Sequence, residues 1–303
     1  MRFPQLGLAV LGLLLSACAS APSPDFPDAL SVDPPDPGEV EAVLFLIGDA
    51  GDLEQGTSPI MARLALDVEE WAEQTPGDSA VTVVFLGDNV YPVGNRDRDH
   101  PEFEADSSKL WGQVDVLGGP SARSRGARGL FLAGNHDWGN RAGEEALERL
   151  RNQEAMLEAA RAGGWPVELV PRAGEPGPVT VDVGDRARLL LVDTHWFLQE
   201  RDPGARSVFF GRVRQRLSDA DAEGRHLILA AHHPYQSVGP HGERMPGMKA
   251  LGLEFLLKKS GTLVQDLNSP IYGDLLLELE SSFRDVARPL IFAGGHDLSL
   301  IHI

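Results

Sequence analysis

The chain has 303 residues, 42% of them hydrophobic and 24% charged, with a formal net charge of −18 and a single cysteine. That length suffices for one large α/β domain or two small ones with a real core. The acidic balance excludes a general nucleic-acid binder, which would show a basic face, but leaves room for an anionic substrate, because bound cations can be the largest local charges in a site.

Residues 1–17 read as a signal peptide. Arg2 precedes an apolar run over residues 6–15, too short to span a bilayer, and small residues follow. The run closes on Leu15-Ser16-Ala17-Cys18, which resembles the lipobox of bacterial lipoproteins, in which the cysteine is lipidated and becomes the new N-terminus. The resemblance implies export and a lipid anchor on Cys18 in a cell-envelope membrane. Ala19 stands where an Asp would signal inner-membrane retention, which favours the outer membrane. Residues 18–40, rich in Pro, Asp and Ser and without periodicity, read as a disordered tether, so that the anchor is the only membrane contact. Residues 41–303 form the remaining domain, with no internal repeat and nothing that sets an oligomeric state.

Within that domain, apolar runs alternate with helical patterns. Residues 42–47 are a continuous apolar run, as expected of a parallel strand buried on both faces. Ser58-Pro59 opens a helix reaching residue 74. Further strands are expected at 81–86, 129–133, 226–230 and 290–293, and a hairpin at 179–183 and 187–192 around Gly184-Asp185. Helices are expected at 103–117, 144–162, 206–222, 248–259 and 275–286.

Nearly every strand ends in glycine plus a residue with metal-ligand chemistry. One Gly-Asp would mean little, since Asp is a good helix N-cap. Here the ends read Gly48-Asp49, Gly87-Asp88-Asn89-Val90-Tyr91, Gly134-Asn135-His136-Asp137, Ala231-His232-His233-Pro234 and Gly294-Gly295-His296-Asp297. The C-terminal edge of such strands is where open α/β sheets place their ligands. Hydrolysis of a phosphate ester needs a nucleophile opposite the leaving oxygen and stabilisation of phosphoryl charge, and two metals roughly 3.5–4 Å apart provide both. No Ser-His-Asp arrangement, Gly-x-Ser-x-Gly elbow or second cysteine offers an alternative nucleophile.

These five blocks, in this order, resemble the calcineurin-like metallophosphoesterases over essentially the whole mature domain. Tyr91, three residues after Asp88, together with Asn89-Val90-Tyr91-Pro92-Val93-Gly94 and Asp193-Thr194, makes the chain most similar to the small, animal-type purple acid phosphatases. The resemblance implies a two-sheet αββα sandwich holding two metal ions, Fe(III) plus Fe(II), Zn(II) or Mn(II). Asp88 would bridge them; Asp49 and Tyr91 would bind the first, and Asn135, His232 and His296 the second. His136, and in a weaker position His241, would face the phosphate. The implied activity is hydrolysis of phosphorylated small molecules, as monoesters, by a metal-bound hydroxide. A phosphodiesterase acting on nucleotides or phospholipid head groups, or a degenerate surface-binding lipoprotein, is the alternative.

One position departs from the pattern. The last block normally reads Gly-His-x-His, and the second histidine belongs to the first metal; here it is Leu298. Three readings stay open: a lost ligand replaced by a donor such as His302, a shift that puts His296 in the final histidine's place, or a non-native tail over residues 298–303. Other residues get ordinary roles: His195 as a loop-orienting residue, His100 as solvated, Arg123, Arg125 and Arg128 as a solvated cluster, and Trp138 as packing.

Overall fold

Alternation along the strands decides the architecture. In β2 (Val81–Phe85), Val81, Val83 and Phe85 pack on one side with residues of the flanking helices, while Val84 and the following Leu86 pack on the other. In β6 (Ala187–Leu191) and β7 (His226–Ala230), Leu189, Leu191, Ile228 and Ala230 join that second cluster, whereas Leu190, Leu227 and Leu229 face away toward helices. Strands apolar on both faces belong between layers. The computed structural model describes residues 35–53, 56, 58–200, 202–235 and 270–296, and in them the chain is the expected αββα sandwich.

The first sheet is parallel in the order β1 (Val43–Ile47), β2, β3 (Arg128–Phe131), β4 (Val167–Leu169). The second runs β5 (Val179–Val183), β6, β7, β8 (Ile291–Ala293); β5 and β6 form the anticipated antiparallel hairpin, and the other pairs are parallel. The seam between the sheets is filled by Val84, Leu130 and Leu132 from one side and Leu189, Leu191, Ile228 and Ala293 from the other. Burying each of the Val, Leu and Ile side chains contributes about 1.5–3 kcal/mol. On the outer face of the first sheet lie α1 (Pro59–Gln74), α2 (Phe103–Val114), α3 (Pro120–Ser124) and α4 (Glu144–Ala162). On that of the second lie α5 (Thr194–Gln199), α6 (Pro203–Ala222) and α7 (Pro270–Asp285).

Local chemistry sets the helix starts. The Ser58 hydroxyl accepts from Met61 N at 3.1 Å with Pro59 in the first position, and α1 buries Met61, Leu64, Val68 and Ala72 at helical spacing. α6 begins three residues earlier than its apolar pattern suggests because Asp202 caps it and Pro203 opens it. The helix expected over 103–117 ends at Val114, and Asp115–Leu117 tighten into a 3₁₀ turn. β4 and α5 were not expected; the first is only three residues long, and the second starts where the strand seemed to close, capped by Asp193. Cys18, His241, the helix expected over 248–259, Leu298 and His302 lie outside the described residues. Among the described residues no helix is long and apolar enough to cross a membrane.

Candidate metal centre

Parallel pairing brings the C-terminal ends of β1, β2 and β3 side by side, and those of β7 and β8 across the seam. Backbone hydrogen bonds continue past the strands: Asp49 N donates to Gly87 O (3.1 Å), Gly51 N to Asp88 O (2.9 Å) and Gly295 N to His232 O (2.8 Å). The approach is close enough to explain the glycines. A Cβ on Gly48 would sit 2.8 Å from Gly295 Cα, and one on Gly87 would sit 2.7 Å from His232 Nδ1. Each glycine is followed by a side chain held in left-handed backbone: Asp49 (φ 56°), Asp88 (φ 56°) and His296 (φ 69°). Such conformations cost on the order of 1–3 kcal/mol each and persist where surrounding structure imposes them, typically at functional sites.

The side chains meet in two adjoining groups. In the first, the Tyr91 hydroxyl lies 2.9 Å from Asp88 Oδ2 and 3.1 Å from Asp49 Oδ1. In the second, Asn135 Oδ1 lies 2.9 Å from His232 Nε2 and 2.8 Å from His296 Nδ1, and the two histidine nitrogens are 3.2 Å apart. Asp88 joins them, since its Oδ1 is 3.4 Å from His232 Nε2 and accepts from His136 N at 2.9 Å. The His232 orientation is imposed from behind. Its Nδ1–H donates to Leu86 O (2.9 Å), which leaves the Nε2 lone pair facing the site. Asn135 is held likewise, its amide donating to Asn140 Oδ1 at 2.7 Å so that Oδ1 turns inward.

This donor set fits cations. Oxygen atoms of two carboxylates, a phenol and an amide converge there with imidazole nitrogens. Burial raises the Asp49 carboxyl, and Asp88 adds to the rise against the pull of His232. Burial and both carboxylates push the Tyr91 phenol far up. Burial would lower His232, but the Asp88 and Asp49 carboxylates outweigh it and raise the imidazole. Two donor groups have ligand atoms within 4.8 Å of one another: Asp49, Asp88 and His232, and His232, His233 and His296.

All six ligand residues expected from the sequence are therefore brought together, with His136 beside them; its Nε2 lies 4.0 Å from Asp88 Oδ2 and its ring 4.3 Å from that of Tyr91. His233, in the second donor group, was not among them. Its place in an adjacent pair of histidines was the available signal. Asp137 is a second residue whose part was not legible. Fully buried, it accepts from Asn89 N (2.9 Å), Val90 N (3.1 Å), Gly134 N (2.8 Å) and the Asn89 amide (3.0 Å), tying the Asp88 loop to the Asn135 loop. Burial pushes its carboxyl up to about 8, with Asp88 adding to the rise.

The remaining residues take structural places. Trp138 is buried and donates from Nε1 to Asp193 Oδ2 at 2.9 Å. His195 is buried on α5, its ring 5.7 Å from that of Trp138. His100 is exposed. Arg123 stacks on Trp165, Arg125 bonds Pro76 O, and Arg128 bonds Thr82 Oγ1.

No protein-family model and no curated protein sequence matches the chain. Among solved structures it superposes on GAP50, the anchor in the inner membrane complex of Plasmodium, with a TM-score of 0.50 and 15% identity. That match covers 84% of this chain and 65% of the other, and it is a likeness of fold. A dimetal phosphatase from Danio rerio matches with a TM-score of 0.45 and 13% identity, over 86% of this chain and 82% of the other.

Proposed function

We propose that the chain is a metal-dependent phosphoric ester hydrolase that takes two cations and cleaves phosphate monoesters. The observation that carries this reading is the convergence of Asp49, Asp88, Tyr91, Asn135, His232 and His296, from five strand ends, on one spot. Asp49 and Tyr91 would hold one cation, Asn135, His232 and His296 the other, with Asp88 between them. Hard oxygen donors suit Fe(III), and imidazoles suit Fe(II), Zn(II) or Mn(II). Bound there, the cations supply charge stabilisation at the phosphoryl oxygens and a water acidified toward neutral pH.

The chain's own groups do the rest. His136 Nδ1–H donates to Pro92 O at 2.6 Å, which fixes the ring and leaves Nε2 as its reactive nitrogen. The side chain is 27% exposed, so substrate can reach it. A proton on Nε2 can be given to a phosphoryl oxygen or to the departing alkoxide. The close backbone approaches at Gly87 and Gly134 and the Asp137 carboxyl group keep the donors in place.

The test is hydrolysis of para-nitrophenyl phosphate and of its bis ester by the full chain, with metal analysis on the same sample. We expect about two metals per chain, preference for the monoester, and loss of both metal and activity in Asp88→Asn. Preference for the bis ester would make the protein a diesterase; one metal or none, with no turnover of either ester, would favour a degenerate surface-binding protein. With iron in the oxygen-rich half, the protein should be purple and Tyr91→Phe colourless. We also place the protein in the envelope through a lipid on Cys18, so Cys18→Ser should release it from the membrane fraction.

A further inference from the structure

Of the two adjacent imidazoles in Ala231-His232-His233-Pro234, the family resemblance uses only the first. The second is as deeply placed: His233 is 1% exposed, with its ring centroid 5.0 Å from that of His232 and 4.5 Å from that of His296. The three rings offer ligand nitrogens within 4.8 Å of one another. His233 is oriented from behind as metal-binding histidines are. Its Nδ1 lies 2.8 Å from Thr194 Oγ1, and the same hydroxyl oxygen accepts from His233 N at 3.2 Å. The nitrogen this ring can present to a cation is then Nε2. Thr194 is itself fixed as the first residue of α5, whose cap Asp193 accepts from Trp196 N and Trp138 Nε1. Gathering three imidazoles out of water is costly for protonated rings and favourable around a borderline divalent cation.

We propose that His233 is a metal ligand, giving the second cation a three-imidazole set with His232 and His296, and that the Thr194 hydroxyl positions it. This rests on the two-cation reading above. It makes that half of the site selective for Zn(II), Co(II) or Fe(II) over Mg(II) or Ca(II), which prefer oxygen.

The test is cobalt(II) titration of the chelator-stripped full chain, with X-ray absorption counting imidazoles on the metal. In His233→Ala, or His233→Asn should the alanine variant not fold, the count should fall by one imidazole per chain. Affinity should fall by more than the roughly 10–100-fold that loss of an outer-sphere partner costs. Thr194→Val should show that smaller loss with an unchanged count, and Thr194→Ser should recover it. A folded His233 variant with the wild-type count and affinity overturns the assignment and leaves the two-cation reading standing. A wild-type chain that takes up no cobalt overturns both.

Discussion

The loops after the first sheet carry Asp49, Asp88, Tyr91 and Asn135; those after the second carry His232, His233 and His296. The first set is all oxygen donors, and the second all nitrogen. Their supports differ as well. The first-sheet loops are tied to each other by a buried carboxylate, Asp137, which accepts four N–H groups. The second-sheet histidines lean on neutral groups, the Leu86 carbonyl behind His232 and the Thr194 hydroxyl behind His233. The Leu86 carbonyl sets the His232 tautomer without adding charge. The site therefore spans the seam, and neither sheet alone has a complete donor set.

Asp88 is the residue on which the two halves depend jointly, and its loss should have the largest effect. One oxygen faces Tyr91 and the other faces His232 and the His136 amide. Asp88→Asn should therefore lower occupancy of both cations, whereas Asp49→Asn should empty only the oxygen-rich half and His296→Ala only the imidazole half. Metal stoichiometry by elemental analysis reads this directly. Two metals retained in Asp88→Asn would show that the halves are independent.

The same comparison shows how much of the molecule was legible in its sequence. Most of the parallel strands were, because strands buried between layers read as continuous apolar runs, and β1, β2, β3 and β8 each run into a glycine. The candidate donors were legible as a set because acidic, amide and imidazole residues recur at five strand ends; Asp49 alone would have passed for a helix cap. What was hidden depends on contacts distant in sequence. Nothing near Asp137 shows that it will accept from Asn89 and Val90, which lie on a different strand end. α5 was missed because Asp193-Thr194-His195 both ends a strand and caps a helix, and only the Trp196 N–H bond to Asp193 decides between the two. β4 is three residues with one exposed, too short for alternation to register.

Because the two halves sit on opposite sheets, the seam itself should matter to metal binding. Leu189 is fully buried there with Val84, Leu130 and Leu132. Leu189→Ala should cost about 2–5 kcal/mol of stability in denaturant unfolding. It should also weaken cation binding more than an equally destabilising change outside the seam, such as Leu217→Ala, which removes a buried side chain from the outer core of the second sheet. Equal metal affinities in the two variants would mean that the strand ends keep their geometry whatever happens between the sheets.

A smaller effect should appear on acidification. Burial holds the His195 imidazole down to about 4, below its ordinary value near 6.5. Between those values the unfolded chain binds a proton that the folded chain does not, so this contribution is complete above about pH 6.5 and is lost as pH falls toward 4. At about 1.4 kcal/mol per pH unit it amounts to about 3 kcal/mol. Asp193, raised to about 6 by burial, works in the opposite sense, gaining stability as pH falls from 6 toward 4. The two partly cancel in the wild type, so the His195 part is read as a difference: His195→Gln, in chelator to remove metal from the comparison, should lose less stability between pH 7 and pH 4 than the wild type does. A parallel decline would mean that the ring is protonated in the fold.

The smallest expected effect tests whether a change outside the seam stays outside the site. Ser58 caps α1 on the outer face of the first sheet, accepting from Met61 N, and touches none of the donor groups. Ser58→Ala should cost about 1 kcal/mol, the usual worth of an N-cap. α1 covers Val83 and Phe85, the outward side chains of the strand that delivers Asp88, so fraying of its first turn could reach the site only through that strand. β2 is held on both sides by β1 and β3 and is buried along its whole length. The cap's loss should therefore appear in thermal unfolding with metal affinity unchanged. A fall in affinity alongside the loss of stability would mean that the left-handed turn at Asp88 depends on the outer helix layer as well as on the glycines and Asp137 around it.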